Sequence, residues 1–308
     1  ETKQVSWSMA KSVTSALVGR AVELGLIKDI DAPMPTPFDA GDKRAEITWR
    51  QWLTMTDGLD YTEIGATSMA DNDVIQMMYG PGRFDVLDYI KDELPPLHEP
   101  GTVWNYSTAG FHLIGHALWR IERQARAAAF REGEQFIDNN PKHDTNIMAS
   151  WMNDNFFFHI GMDALVEFDS SGTFLGGSLV WASARDFAKF GYLYLRDGVW
   201  DGERLLPEGW VDFARTKTPA DNSNVYGAGW WITAYGAPLT HAQNATTPPW
   251  DAFHAGGHEG QIIWVVPSRD LVIVHLGLME NTDENWSALY EWNQEIARAF
   301  PDVAAPVE

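Results

Sequence analysis

The stretch Ser6-Trp7-Ser8-Met9-Ala10-Lys11-Ser12 decides how the rest of this chain is interpreted. It holds one Ser-x-x-Lys pattern, from Ser8 to Lys11, at the start of a segment whose apolar residues recur at helical spacing. Positions i and i+3 share one face of a helix, so the Ser8 hydroxyl and the Lys11 amine can meet. A hydroxyl beside a partly desolvated amine has a route for losing its proton, and the pattern therefore predicts a nucleophilic serine.

A Ser-x-x-Lys pattern alone is weak evidence, because it arises by chance about once in a chain of this size. Two further stretches support the prediction. Tyr106-Ser107-Thr108 follows a Pro-Gly loop and comes directly before a predicted helix. Ala255-Gly256-Gly257-His258-Glu259-Gly260 comes directly before a predicted strand. A glycine-rich strand edge lets a substrate lie close to the backbone and offers N–H groups to a developing oxyanion. Together the three stretches favour acyl transfer over a chance match.

The composition limits the classes of protein to consider. With 308 residues, 45% of them apolar, the chain is long enough for one large domain or two smaller domains with a real core. The net charge of −21 repels phosphate backbones and argues against a nucleic-acid partner. The absence of cysteine excludes disulfides, thiolate metal sites and a cysteine nucleophile. No apolar run of about eighteen residues occurs, so we expect no transmembrane helix.

Apolar periodicity, capping residues and turn signals predict the order of elements along the chain. The segment from 123 to 165 is predicted to be mostly helical, with a turn around Asn139 to His143. Helices are predicted over 9–24, 49–55, 71–79, 84–91, 109–122, 184–196, 207–214 and 284–300, and strands over 226–234, 262–266 and 271–278.

The motifs, taken in order, resemble those of the penicillin-recognising serine hydrolases. The similar branch is the class C β-lactamase-like one, which includes carboxylesterases and 6-aminohexanoate-dimer hydrolases. Ser8-Met9-Ala10-Lys11-Ser12 looks like the nucleophile motif, and Tyr106-Ser107-Thr108 looks like the tyrosine motif. The resemblance runs through nearly the whole chain and also covers these stretches: His98 to Thr102, Gly172 to Gly177, Ser183 to Ala188, Tyr226 to Trp231, and Gly260 onward to Pro267.

This resemblance implies an α/β (α+β) fold, the β-lactamase/transpeptidase-like fold, in which helices flank an antiparallel sheet and a mostly helical lobe is added. We expect residues 1–25 and 176–308 to form the sheet-plus-helix lobe and residues 26–175 to form the helical lobe. The active site is expected between the two lobes. The sheet of such a fold has amino-terminal strands, and we expect that they precede this chain in a longer protein.

The resemblance also implies a mechanism. Ser8 would attack the acyl carbon and form an acyl-enzyme, while Lys11 and Tyr106 together manage the proton. Which of the two takes the proton first stays open. The oxyanion would be bound by the backbone N–H of Ser8 and, with the third motif placed at Ala255-Gly256-Gly257, by that of His258. A register that begins at His254 would name Gly257 instead.

Substrate contacts are expected from Thr108, Gly257 and Tyr61, with neither a metal nor a cofactor. His112 and His116 have the i, i+4 spacing of a zinc pair, but no glutamate follows in the pattern of a zinc protease, so a packed pair is favoured. The compartment and the oligomeric state stay open, with a periplasmic or secreted location favoured over a cytoplasmic one.

Two departures from the family pattern bear on the substrate. β-Lactamases and peptidoglycan peptidases usually begin the third motif with lysine, and this chain has Ala255 there, or His254 in the other register. Class C β-lactamases carry asparagine where this chain has Thr108. Both changes favour small-molecule esters or small amides as substrates over β-lactams or D-amino-acid peptides. A non-catalytic scaffold is a third possibility, against which the joint presence of Ser8, Lys11 and Tyr106 argues.

Overall fold

The computed structural model describes residues 2–129, 145–222, 225–232 and 251–303. The turn predicted around Asn139 to His143 lies outside these residues, as does the end of the strand predicted over 226–234. The helices are α1 (Met9–Glu23), α2 (Trp49–Leu53), α3 (Asp73–Met78), α4 (Val86–Glu93), α5 (Thr108–Ala129), α6 (Thr145–Met152), α7 (Ala184–Leu195), α8 (Trp210–Ala214) and α9 (Asp283–Arg298). The strands are β1 (Gln4–Val5), β2 (Leu165–Val166), β3 (Val180–Ala182), β4 (Val199–Trp200), β5 (Glu203–Arg204), β6 (Phe253–Gly257), β7 (Gln261–Val266) and β8 (Leu271–His275).

Helix α1 is the central element, as its apolar periodicity predicts. Every residue from Met9 to Ala21 is buried, so the helix has no solvent face along most of its length. It contacts α5 on one side and strands β6 and β7 on another. Gly25, with a φ of 71°, follows the end of the helix in the left-handed conformation that glycine adopts without strain.

The sheets are antiparallel and place the third sequence motif next to α1. The main sheet has the strand order β6-β7-β8, and β6 pairs with β7 from Phe253 opposite Val265 to Gly257 opposite Gln261. Helix α7 packs on β7 and β8. A second small sheet has the order β1-β3-β2, so the strand just before Ser8 is held by β3. The strands predicted over 262–266 and 271–278 are confirmed as the antiparallel pair β7 and β8.

Several predicted helices are confirmed, and side chains cap their amino ends. Thr48 and Gln51 form a capping box at the start of α2, and the Ser183 hydroxyl accepts a bond from the Asp186 N–H at the start of α7. Helix α4 begins two residues later than predicted, because the Asp85 side chain caps it. Helix α8 begins at Trp210 rather than at Pro207, since Gly209 just before it has a left-handed φ of 77°.

The strand predicted over 226–234 is wrong in its described part. Tyr226 and Trp231 form isolated bridges across a tight turn, in which the Gly227 N–H donates to the Trp230 carbonyl at 2.9 Å. Two serines of α1 hold this turn, because Ser12 donates to the Gly229 carbonyl at 2.6 Å and Ser15 donates to the Ala228 carbonyl at 2.9 Å. These bonds use carbonyl groups that a strand would pair elsewhere.

Two further boundaries differ from the predictions. The helical segment expected to reach 165 ends with a π-helical turn at Asn153–Phe157, and Gly161 then has a φ of 60°. Strand β8 ends at His275 rather than at 278. The largest hydrophobic cluster takes side chains from nearly every helix and from β6 and β7. None of the described helices is both long enough and apolar enough to cross a membrane. The division into two lobes stays a prediction.

Candidate active site

Ser8 lies at the amino end of α1, three residues after β1. The Ser6 N–H donates to the Val180 carbonyl of β3 at 2.8 Å, which fixes the chain just before the turn. Trp7 has a φ of 45°, a left-handed conformation that is strained for a bulky side chain. This turn leaves Ser8 half-buried, while Met9 to Lys11 are buried. The structure therefore presents the serine hydroxyl at the edge of the core.

Lys11 makes three hydrogen bonds, one for each hydrogen of an ammonium group. Its Nζ lies 2.9 Å from Ser8 Oγ, 2.8 Å from Thr108 Oγ1 and 2.8 Å from the Gly177 carbonyl. The side chain is buried, with a relative exposure of 1%. Burial lowers the Lys11 pKa to about 8, and the charge of Glu63 opposes this shift. A neutral amine is therefore accessible near neutral pH, and it lies in contact with the serine that it would deprotonate.

Tyr106, the third residue of the predicted catalytic set, lies in the loop just before α5. Lys11 Nζ is 4.8 Å from the centroid of the Tyr106 ring. The ring stacks on Trp231, with centroids 5.4 Å apart and an interplanar angle of 20°, and meets the edge of Tyr226 at 5.9 Å. Trp104 contacts these same two rings, Tyr226 at 5.8 Å and Trp231 at 6.5 Å between centroids. The structure thus brings Ser8, Lys11 and Tyr106 together.

Glu63 is a site residue that the sequence did not reveal. Its Oε1 accepts a bond from Thr108 Oγ1 at 3.1 Å, and its Oε2 accepts one from the Thr108 N–H at 3.1 Å. The Tyr61 hydroxyl donates to the same Oε2 at 3.0 Å. Glu63 is 45 residues from Thr108 in sequence and lies in a loop with no periodic pattern. No local signal could have placed it here.

Thr108 and Tyr61 were both predicted to contact substrate. The Thr108 hydroxyl is fully buried and lies between Lys11 and Glu63, accepting from the first and donating to the second. Tyr61 is also buried, and its hydroxyl is engaged by Glu63. Their contact with substrate stays a prediction. What the structure shows is that both side chains support the carboxylate that faces the lysine.

The glycine-rich stretch Gly172 to Gly177, which precedes β3 and is called the connector below, borders the site on another side. The Gly177 N–H donates to His112 Nδ1 at 3.3 Å, while its carbonyl accepts from Lys11. A Cβ at Gly177 would lie 2.7 Å from the Thr108 carbonyl oxygen, so only glycine fits between the two. Burial, aided by the charge of Lys11, lowers the His112 pKa to about 3 and keeps the ring neutral. No cluster of metal-ligating side chains is found among the described residues.

The end of β6 meets the turn that carries Ser8. A Cβ at Gly257 would lie 2.2 Å from the Ser6 carbonyl oxygen, so the two backbones are in direct contact there. The His258 ring packs edge-on against Trp7, with centroids 5.7 Å apart. Both candidates for the second oxyanion donor therefore lie beside the nucleophile turn, and the choice of His258 over Gly257 stays a prediction.

His254 faces away from the reacting groups. Its ring is buried, its Nε2 lies 3.2 Å from the Tyr290 hydroxyl of α9, and burial lowers its pKa to about 3. On its other side it stacks on Trp231, at 6.3 Å between centroids and 14° between planes. A Cβ at Gly256 would lie 3.3 Å from the Trp231 ring, so the lack of a side chain at Gly256 leaves room for the Trp231 ring.

Comparison with known proteins supports the architecture described above. A Bacillus anthracis protein assigned as a 6-aminohexanoate-dimer hydrolase is similar at 18% identity, with a TM-score of 0.66 over 97% of this chain and 74% of that one. A penicillin-binding protein homologue from Caulobacter crescentus is similar at 15% identity, with a TM-score of 0.62 over 95% and 84%. Simvastatin synthase from Aspergillus terreus is similar at 15% identity, with a TM-score of 0.60 over 97% and 84%.

At these identities the solved structures establish the fold alone. A search of curated protein sequences found no match. A model of the beta-lactamase family, by contrast, matches residues 1–292, which is nearly the whole chain and includes all three motifs. The chain therefore belongs to the beta-lactamase family.

Proposed function

We propose that this chain is a serine hydrolase that cleaves carboxylic esters or small amides through an acyl-enzyme on Ser8. Membership of the beta-lactamase family supports a hydrolase in general. The observation that carries the finer proposal is the buried amine of Lys11, which lies 2.9 Å from Ser8 Oγ and has a pKa lowered to about 8. A buried amine in contact with a half-exposed serine hydroxyl has the geometry of a base and its nucleophile.

The chemistry follows from these positions. Ser8 Oγ bonds to the acyl carbon while its proton passes to the neutral amine of Lys11, directly or through Tyr106. The proton then goes to the departing alkoxide or amine as the bond to the acyl carbon breaks. A water molecule repeats the sequence against the ester of Ser8 and releases the carboxylic acid. Backbone N–H groups beside the nucleophile turn would hold the oxyanion in both steps.

The preference for esters or small amides rests on the groups around the nucleophile. In one register Ala255 occupies the position at which β-lactamases usually present lysine to a substrate carboxylate, and Ala255 is fully buried. The half-buried carboxylate of Glu63 lies against Thr108 and would repel an anionic group brought to this side of the site. A neutral substrate fits this charge distribution better than a β-lactam carboxylate.

The test combines labelling and turnover. The wild type and Ser8→Ala are treated with a fluorophosphonate, and their intact masses are measured; both are then assayed with p-nitrophenyl acetate, p-nitroacetanilide and nitrocefin. We expect the wild type to gain one phosphonyl group and to hydrolyse the ester, and Ser8→Ala to do neither. An unlabelled wild type without ester turnover would favour the non-catalytic scaffold. Nitrocefin turnover faster than ester turnover would favour the β-lactamase alternative.

A further inference from the structure

The bonds around Thr108 form a directed chain that ends on a carboxylate. Thr108 has a single hydroxyl hydrogen, and the carboxylate Oε1 of Glu63, 3.1 Å away, can only accept it. The Thr108 oxygen is therefore left to accept from Lys11 Nζ at 2.8 Å. The second oxygen of Glu63 is held by the Thr108 N–H and the Tyr61 hydroxyl, so the carboxylate has a fixed place.

We propose that Glu63 is a positioning residue, which acts through the hydroxyl of Thr108 to hold the Lys11 amine against Ser8 and to stabilise its protonated form. The inference rests on the proposed function, because it assigns Lys11 the role of the base. Glu63 itself does not touch Ser8 in the bonds described. It determines instead which hydrogen-bonding role Thr108 offers to the lysine.

Electrostatics supports the same role. Burial lowers the Lys11 pKa to about 8, and Glu63 is the group whose charge raises it. The other groups that face Lys11 are Ser8 at the start of α1, the ring of Tyr106, the Gly177 carbonyl, and Thr108 and His112 on α5. His112 has a pKa lowered to about 3, so it does not titrate in the range where Lys11 changes charge. Without Glu63, burial would favour the neutral amine at still lower pH.

The first measurement is the pH dependence of kcat/KM for p-nitrophenyl acetate in the wild type and in Glu63→Gln. Loss of the carboxylate lowers the Lys11 pKa, so the acidic limb of the profile should move to lower pH by about half a unit to one unit. The plateau should fall about tenfold, because the amine is a weaker base and is held less firmly. The matched control is Asp60→Asn, which removes an exposed carboxylate from the same loop and should leave the limb in place.

The second measurement separates the inference from the proposed function. Lysine carbons labelled at the ε position are titrated by NMR, with the Lys11 signal identified by its loss in Lys11→Met. We expect a midpoint near 8 in the wild type and a lower one in Glu63→Gln. If the wild type hydrolyses nothing, the proposed function fails, yet this titration still decides whether Glu63 acts on Lys11. An unchanged Lys11 midpoint in Glu63→Gln would overturn the inference.

The route through Thr108 has its own test, a double-mutant cycle. Thr108→Val removes the hydroxyl and keeps the shape of the side chain, whereas Thr108→Ser keeps the hydroxyl and should retain most of the activity. If Glu63 acts through Thr108, the loss of plateau kcat/KM caused by Glu63→Gln should be several-fold smaller in the Thr108→Val background than in the wild type. Equal losses in the two backgrounds would exclude this route.

A rival source for an acidic limb lies close to α5. Asp57 is buried beside Gly110, and burial raises its pKa to about 6. A limb that comes from Asp57 would stay in place in Glu63→Gln while the NMR midpoint of Lys11 moved. That outcome would support the action of Glu63 on the Lys11 pKa. It would also show that Lys11 does not produce the acidic limb of the kcat/KM profile, which would overturn the expected shift of that limb.

Discussion

The candidate site has two sides that are built on different physical principles. The polar side consists of Ser8, Lys11, Thr108, Glu63 and Gly177, and every link between them is a directional hydrogen bond of 2.8 to 3.1 Å. The aromatic side consists of Trp104, Tyr226 and Trp231, with His254 behind them, and its rings meet at centroid distances of 4.9 to 6.5 Å. Tyr106 lies between the two, over Lys11 and against Trp231.

This difference predicts which substitutions change turnover and which change the free energy of unfolding. On the polar side, removal of a single hydrogen-bonding atom disturbs the alignment of the others, because buried donors and acceptors have no water to replace a lost partner. A side of packed rings tolerates a change of atom type but not a loss of volume. Substitutions on the polar side should therefore act mainly on turnover, and those on the aromatic side mainly on the free energy of unfolding.

The largest effect is expected for Lys11→Met. The methionine has a similar length but cannot accept the Ser8 proton, so kcat/KM should fall at least about a thousandfold. Lys28→Met, at an exposed position just beyond α1, is the matched control and should keep wild-type turnover. Hydrolysis of p-nitrophenyl acetate by both variants measures the difference. Turnover of Lys11→Met within tenfold of the wild type would remove the lysine from the mechanism.

The next effect is expected for Gly177→Ala, which tests how little room the polar side has. The new Cβ would lie 2.7 Å from the Thr108 carbonyl oxygen, and the connector must shift away from Lys11 to relieve the contact. We expect kcat to fall about tenfold or more and the free energy of unfolding to fall by about 1–3 kcal/mol. Gly25→Ala is the control, because it meets no atom within 4 Å and should cost stability through its φ of 71° without a change in turnover.

On the aromatic side, Trp231→Leu removes the ring that Tyr106 and His254 both contact. The cavity should lower the free energy of unfolding by about 2–4 kcal/mol, while kcat changes only several-fold. Trp292→Leu, at a residue that is 47% exposed, should lower the free energy of unfolding little. Urea unfolding and steady-state kinetics on the same samples make the comparison. A Trp231→Leu protein with wild-type stability and a hundredfold loss of kcat would reverse the distinction between the two sides.

The smallest effect, and the sharpest comparison, concerns two histidines: His112, which accepts from the Gly177 N–H on the polar side, and His254 on the aromatic side. Burial lowers the pKa of both His112 and His254 to about 3. Between about pH 6.5 and 3, therefore, the two histidines are protonated in the unfolded chain and neutral in the native state. These two residues make stability fall as the pH falls through 6.5. Asp57 acts in the opposite sense: its raised pKa of about 6 means that the native state holds a proton between pH 6 and 4 that the unfolded chain releases.

Taken together at pH 5, these three groups lead to a net uptake of about one proton on unfolding. Their contribution to the free energy of unfolding therefore decreases by about 1.4 kcal/mol for each unit of acidification. Replacing either histidine with asparagine should flatten this dependence by a similar amount, whichever side it is on. Urea titrations at pH 5 and 6.5 measure the slope. A slope that neither substitution changes would mean that neither ring is kept neutral by burial.

The sequence predicted the parts of the site that depend on local geometry. Ser8 and Lys11 meet because they are three residues apart on one helix, and the capped starts of α2 and α7 follow from Thr48 and Ser183. Tyr106 required the family resemblance, since nothing local joins it to a helix about a hundred residues earlier. The beta-lactamase family and its fold were predicted correctly.

The parts that the sequence did not predict depend on contacts made at long range. Glu63 belongs to the site only because the loop after α2 folds over the start of α5. The turn from Tyr226 to Trp231 carries aromatic residues, which strands favour, but Ser12 and Ser15 of α1 bond two of its carbonyl groups. The oxyanion register stays open because the third motif can begin at Ala255, which names His258, or at His254, which names Gly257.

The two-residue strand β1 has a consequence for how the protein would lose activity. Among the described residues it pairs with β3 through Gln4 and Val5, and Ser6 adds two bonds to Val180, from its N–H to the carbonyl and from the Val180 N–H to its hydroxyl. Short edge pairings open in sub-global fluctuations well before a core unfolds. Because the nucleophile follows this strand directly, alignment of Ser8 would be lost in such an opening while buried Trp52 and Trp230 stay protected from solvent. Rapid hydrogen exchange at Val5 and Ser6, and inactivation by urea ahead of the loss of far-UV circular dichroism, would be its signature.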